Sequence, residues 1–376
     1  MLAGTRISWP GIGSSIRVSC RPAWFWRCWM SDVILTVNNR QYAGWTRVNI
    51  TLGMEQLSGA FSVGYTEKWP EQTEPWPIQK GDAVSVAIDS HVLITGFVDD
   101  ASVDFDATDH TLEITGRDAA CDLVDCSVDS KPGHWENRTV TQIITDLCKS
   151  YGLSVTAKTS VAEPLKNFGV QEGEMVFDAI DRACRYRGIL PMSNGLGGIW
   201  LVKPETVRVP VALEQGKNIK AGRFVDSMRE QFSLYTVKGC DVGKDDSTPP
   251  QNCGPSATAT DSTVKRYRPL VLIAENPCDT SELKKRAIWE AAVRRGRSNR
   301  IGITVQGWTY PGGIWRPNML VPVKSSALKT DRDKLIVSVN FSRDERGTLT
   351  FLELCDPEGL TPIEIPEEAE DEGGWL

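Results

Sequence analysis

Few residues in this chain have the types and spacing that catalysis needs. The three histidines, His91, His110 and His134, fall in a predicted strand, a turn and a loop. No Gly-x-Ser-x-Gly elbow or other nucleophile accompanies them, so a nucleophile with its base and orienting partner is not assembled. Carboxylates gather at Asp99, Asp100, Asp104, Asp106 and Asp109. A glycosidase requires a protected pair, whereas these alternate along strands and turns as a solvated face does. The same stretch lacks the glycine and the glutamate that a calcium loop places at its sixth and twelfth positions. Gly195-Leu196-Gly197-Gly198 follows a hairpin turn, precedes a strand and has no Lys-Ser/Thr, so it reads as a turn and not a phosphate loop. Among the 10 cysteines, Cys121 and Cys126 have no second pair or histidine to complete a zinc site. Reduced, mostly buried thiols are expected, and no catalytic residue, cofactor or metal is assigned.

Two clusters suit recognition better than chemistry. Lys284 to Arg300 carries Lys284, Lys285, Arg286, Arg294, Arg295, Arg297 and Arg300 against one acid, Glu290. This is either the wet face of an amphipathic helix with Leu283, Ala287, Ile288 and Ala291 inward, or a docking stripe for an acidic neighbour or for passing DNA. Trp308, Tyr310 and Trp315 surround Pro311-Gly312-Gly313, and such aromatic residues serve equally as core-edge packing or as interface anchors. The candidate interface residues are therefore Arg294, Arg295, Arg297, Trp308, Tyr310 and Trp315.

The elements that must position these residues follow from composition and period. A length of 376 residues suggests two to four domains. With 40% hydrophobic and 24% charged residues, whole-chain disorder is excluded, and 32 Gly with 21 Pro point to many turns between short strands. No apolar run is long enough for a membrane-spanning helix, so membrane insertion is not expected. A net charge of -7 disfavours bulk nucleic-acid binding. Residues 1–29 contain no Asp or Glu, hold Trp9, Trp24, Trp26 and Trp29, and have arginines interrupting every candidate signal-peptide core. They read as a non-native or disordered leader before a natural start at Met30.

Period-two alternation from Val33 onward, through Val48, Ile50, Leu52 and Phe61, Val63, predicts an antiparallel β-barrel domain over 30–117. The period then changes. Val140, Ile143, Ile144, Leu147 and Tyr151 predict a helix over 139–151, and Val176 to Cys184 a second over 174–187. With a hairpin at Asn194-Gly195, residues 118–205 form a small α/β domain. Strands return over 206–362, interrupted by an exposed insertion at 241–263 and a helix at 281–297 capped by Asp279. Residues 363–376 form an acidic, disordered tail.

The two β regions share a weak repeat. Met54-Glu55-Gln56 and Phe61-Ser62-Val63 resemble Met228 to Gln231 and Phe232-Ser233-Leu234. Asp82 to Val86 with Thr111 to Ile114 parallels Asn318 to Val323 with Thr348 to Phe351. The fold class is thus mainly β with α+β parts: two related antiparallel β-barrel domains with a small α/β domain between them.

Ser31 to Val37, Asp99 to Asp118, Thr139 to Gly152 and Phe177 to Leu190, in that order along almost the whole chain, resemble the baseplate hub of Mu-like contractile-tailed phages, within the wider late-control tail-hub family. The resemblance implies a non-enzymatic homotrimer that adapts the six-fold tail tube to the three-fold central spike. It further implies a place in the virion tail baseplate, assembly in the host cytoplasm, and DNA only as transient passage through the channel. A type VI secretion spike hub and a tail-associated cell-wall hydrolase are the alternatives. The first predicts a further barrel and a long β-prism after the hub. The second needs an acid/base constellation not found here.

Overall fold

Alternation of buried and half-exposed residues sets the first strand, β1 (Val33–Val37), in which Val33, Leu35 and Val37 enter the core. The computed structural model describes residues 32–66, 78–106, 110–129, 133–204, 207–239, 254–274 and 279–366. The leader, the 241–253 part of the insertion, Cys240, Cys253, Cys278, the side chain of His110 and the tail after Pro366 lie outside the described residues.

Six further strands complete the first region: β2 (Arg40–Tyr42), β3 (Arg47–Gly53), β4 (Ala60–Thr66), β5 (Ala83–Ile88), β6 (His91–Phe105) and β7 (His110–Asp118). They pair antiparallel in the order β2-β1-β5-β6-β7-β4-β3. A bulge in β6 between Val98 and Asp100 shifts its register against β7.

The α/β region contains α1 (Cys121–Asp125), β8 (His134–Thr139), α2 (Val140–Cys148), β9 (Ser154–Ala157), β10 (Pro164–Gly169), α3 (Val176–Arg185), β11 (Leu190–Ser193) and β12 (Gly198–Val202). Thr139 caps α2 by accepting from the Gln142 N–H while the Gln142 side chain accepts from the Thr139 N–H. Gly152, at φ 67°, ends the turn that follows. Val140, Ile143, Ile144 and Leu147 pack against Ile180 and Ala183 of α3 in a separate core. The β11–β12 hairpin docks on the first sheet, where Gly195 O accepts from Thr95 N at 2.6 Å. At φ 73° Gly195 is the residue this turn requires, and a Cβ there would lie 2.1 Å from Leu93 O.

The last region runs β13 (Leu213–Glu214), β14 (Ile219–Asp226), β15 (Leu234–Lys238), β16 (Ser256–Thr260), β17 (Pro269–Ile273), α4 (Thr280–Ser298), β18 (Asn299–Gln306), β19 (Thr309–Tyr310), β20 (Gly313–Ile314), β21 (Leu320–Ser325), β22 (Thr330–Asp344) and β23 (Gly347–Cys355). The first of the strands returning after 206 is only a bridge from Arg208 to Leu320 and the short β13, because Pro210 has no N–H for a ladder. The exposed insertion expected at 241–263 also needs correcting. Residues 256–260 form β16 against β15, with Ala257 and Ala259 buried beneath Leu283 and Ala287 of α4.

The two β regions do not form two separate barrels. β22 pairs with β21 through residues 330–335 and with β3 through residues 338–343. Among the described residues one hydrogen-bonded path therefore runs β14-β18-β23-β22-β3-β4-β7-β6-β5-β1-β2, with β21 and β13 branching from β22, no closed barrel and one shared core. A long-range backbone ladder between the halves left no local signal in the sequence.

Within that path one unit occurs twice. β5, β6 and β7 have 6, 15 and 9 residues, as do β21, β22 and β23. The order β3-β4-β7-β6-β5 is matched by β14-β18-β23-β22-β21, antiparallel throughout. Registers agree residue by residue: Phe61 faces Gly116 and Ile50 as Ile301 faces Leu354 and Phe224. Two details of the sequence repeat are corrected. Phe61 matches Ile301 and not Phe232, which lies in the segment inserted between β14 and β18. Buried Leu112 and Ile114 match buried Thr350 and Leu352, so the alignment of Thr111 with Thr348 was one residue out, a slip that turns every side chain to the other face.

Candidate functional site

Several of the groups that could do chemistry hold the fold instead. Asp99 grips Arg117 through two oxygens, at 2.7 and 3.2 Å, and Asp125 binds the same guanidinium at 2.7 Å. Those hydrogen bonds, Asp99 first, push the Arg117 pKa further above its already high value. His134 lies 3.7 Å from Glu136 on exposed β8. Burial pushes the thiols of Cys121, Cys148 and Cys355 up to about 12, which keeps them protonated and unreactive. Among the described residues no group of three His, Cys, Asp or Glu could hold a metal ion.

Two of the buried acids that the sequence reading missed end matching strands. Asp118, at the end of β7, accepts from Gly59 N at 2.7 Å, Ala120 N at 2.9 Å and Ser58 Oγ at 3.1 Å. Desolvation nevertheless raises its pKa, against the lowering effect of these bonds. Asp356, just after β23, pairs with buried Lys334 at 2.8 Å and with Arg332 at 2.9 Å. An Arg-Asp or Cys-Asp pair at the end of a strand pattern was their only local signal.

The candidate interface residues are placed unevenly. On α4, buried Glu290 accepts from Arg286 at 3.2 Å and Arg294 at 2.9 Å, and the Arg294 guanidinium also lies over Phe232. Arg297 donates to Gly359 O at 3.0 Å, and Arg295 lies 3.9 Å from Asp261. Arg286 and Arg294 thus pair within α4, while Arg294, Arg295 and Arg297 also reach Phe232, Asp261 and Gly359 elsewhere in the chain. Trp308 is 1% exposed and donates its indole N–H to Ser342 O at 3.0 Å, beneath the Arg343 guanidinium. Trp315 is equally part of the core, with half-buried Tyr310 against it at 4.8 Å between ring centres. The two indoles are core residues, because desolvating them within the chain uses the surface that an interface anchor would offer to a partner.

Among the described residues, open surface is found at sheet edges and in a cleft. The cleft, about 1430 Å³, runs between β10 and α3 on one side and β17 and α4 on the other, and Lys203, Lys285 and Glu282 line it. Val103 of β6 is 49% exposed, and Val271 and Ile273 of β17 are more so. No helix among the described residues is long and apolar enough to cross a membrane. Exposed sheet edges with apolar residues suit assembly with other chains.

The comparisons with known proteins agree with that geometry. Residues 32–118 match the model of the Mu phage baseplate assembly protein GpP-like N-terminal domain, 120–203 that of the baseplate hub protein gp44-like second domain, and 279–363 that of the GpP fourth domain. The chain is 32% identical over 345 residues to baseplate hub protein gp44 of Escherichia phage Mu, covering 89% of this chain and 90% of that protein. The crystal structure of the 43 kDa tail protein of prophage MuSo2 from Shewanella oneidensis superposes with a TM-score of 0.80 at 34% identity, over 88% of this chain and 99% of that one. A tail protein from Neisseria meningitidis MC58, 21% identical over 90% of this chain and 100% of its own, shares the fold with a TM-score of 0.76. With a third of its residues identical along nearly the whole length of a curated hub, this chain is a structural, non-enzymatic protein and belongs to the family of Mu-like phage baseplate hub proteins.

Proposed function

We propose that the chain forms a homotrimeric hub at the centre of a contractile tail baseplate, joining the six-fold tail tube to the three-fold central spike. The observation that carries this reading is the duplicated five-strand unit, matched in strand order and register. Three chains with two such units each present six similar modules in a ring. A six-fold partner can meet all six modules, and a three-fold partner the features that differ between them. Head-to-tail contacts of this kind close only when each module turns by about 60° from the last. The partners are the spike, the tube and neighbouring baseplate proteins, with DNA crossing the central channel during delivery. The virion tail is the site of action, after assembly in the host cytoplasm.

Light scattering coupled to gel filtration of the purified chain should return three times the chain mass. Averaged images down the symmetry axis should show six lobes. A stable monomer or a two-fold dimer would refute the hub trimer, and three lobes would refute the equivalence of the two units.

A further inference from the structure

The seam between the two units has a second, open copy. β3 covers β22 over residues 338–343. By the register of the repeat, residues 338–343 of β22 correspond to 100–105 of β6, and residues 48–53 of β3 correspond to 222–227 at the end of β14. Among the described strands, residues 100–104 of β6 pair with β7 alone, and β14 ends the sheet path, so residues 223–227 have β18 on one side only.

We infer that residues 100–104 of β6 in one copy of the chain pair antiparallel with residues 223–227 of β14 and its end in the next copy, repeating the β3–β22 seam between chains. This rests on the trimeric reading above and names the strands that close the ring.

The register needs no adjustment, because the internal seam dictates it. Phe341 opposite Ile50 becomes Val103 opposite Phe224, and Ser342 opposite Asn49 becomes Asp104 opposite Arg223. The chemistry of the two edges agrees with that alignment. Phe341 and Ile50 are fully buried in the seam, and their counterparts are apolar but only partly covered: Val103 is 49% exposed and Phe224 half-buried. Asp104 and Arg223 are both exposed, and neither has an ion-pair partner among the described residues. Directly opposed residues in an antiparallel pair have Cβ atoms about 4.5–5.5 Å apart, within reach of an ion pair. The contact is heterologous, so it builds a ring and not a two-fold dimer.

Paired cysteines read this register directly. In the full-length chain carrying both Asp104→Cys and Arg223→Cys, mild oxidation should link chains into dimers and trimers on a non-reducing gel. Neither single variant should do so, nor should Asp104→Cys combined with Lys238→Cys on β15. Charge reversal gives an independent reading. Asp104→Arg or Arg223→Asp alone should raise the concentration at which the trimer dissociates by about tenfold or more, since like charges then face each other, and the double reversal should restore it. A trimer that neither cross-links nor responds to the reversals would overturn the strand pair and leave the hub reading intact. A wild-type chain of single mass would overturn both. A ladder running past three chains would uphold the strand pair and refute closure of the ring at three.

Discussion

The two five-strand units solve one packing problem with different chemistry. In the first, β3 and β4 are joined by the short turn 54–59, and the acid ending β7 is met by backbone N–H groups and a hydroxyl. In the second, residues 227–298 intervene between β14 and β18 and bring their own small sheet and α4, and the matching acid is met by a lysine and an arginine. The difference teaches that register and strand order are the repeated quantities. Both follow from the backbone ladder and the alternation of buried residues. Loops and buried polar groups changed around them because any full set of hydrogen-bond partners satisfies a desolvated carboxylate.

Removing one partner should separate the two solutions most sharply. Lys334→Ala leaves Asp356 buried beside only the exposed Arg332, and loss of a partner from a buried ion pair costs roughly 3–5 kcal/mol. Urea unfolding should report it as a lowered midpoint with an unchanged slope. A loss below about 1 kcal/mol would mean that Arg332 alone satisfies the acid.

The hairpin that braces the first unit is the next test. Gly195→Ala forces a Cβ against Leu93 O at a left-handed backbone position, for an expected cost of about 1–3 kcal/mol. Hydrogen exchange should show the added opening in β6 and the β11–β12 hairpin, leaving β22 and β23 protected. Equal deprotection of both units would show that they unfold together.

Acid titration tests the buried acid of the first unit. A carboxylate whose folded pKa is raised contributes stability that is fully present below the unfolded pKa and lost as pH rises through the folded value. Asp118 is such a group. The stability of the wild type relative to Asp118→Asn should therefore increase as pH is lowered from 7 toward the ordinary carboxylate range near 4. Denaturant midpoints measured at several pH values would show this, and a flat difference would refute the desolvation argument.

The smallest effect belongs to the surface. Arg208→Ala breaks an exposed pair with Asp333 and should cost about 0–1 kcal/mol, measured as a change in urea midpoint. A larger loss would mean that the Arg208–Leu320 bridge also depends on that side chain.

Local periodicity alone determined most elements. The Thr139 box and the Val140 to Leu147 spacing located α2, Asp279 located α4, and alternation located β1, β3 to β7 and β21 to β23, since these signals depend on neighbours a few residues away. Segment order alone also pointed to the hub family. Only the tertiary structure decided the rest. The seam joins residues nearly 300 positions apart, as Phe341 and Ile50 show, and a backbone ladder between distant strands leaves no mark on composition. The same holds for the candidate interface. Arg294 and Trp308 read alike from sequence as recognition groups, but Glu290 and the Ser342 carbonyl had already claimed them. The open edges at Val103 and Arg223 became visible once the covered seam supplied the register against which to find them. Whether a polar or aromatic side chain is free for a partner depends on what the rest of the chain brings beside it, and that is set by folding and not by residue type.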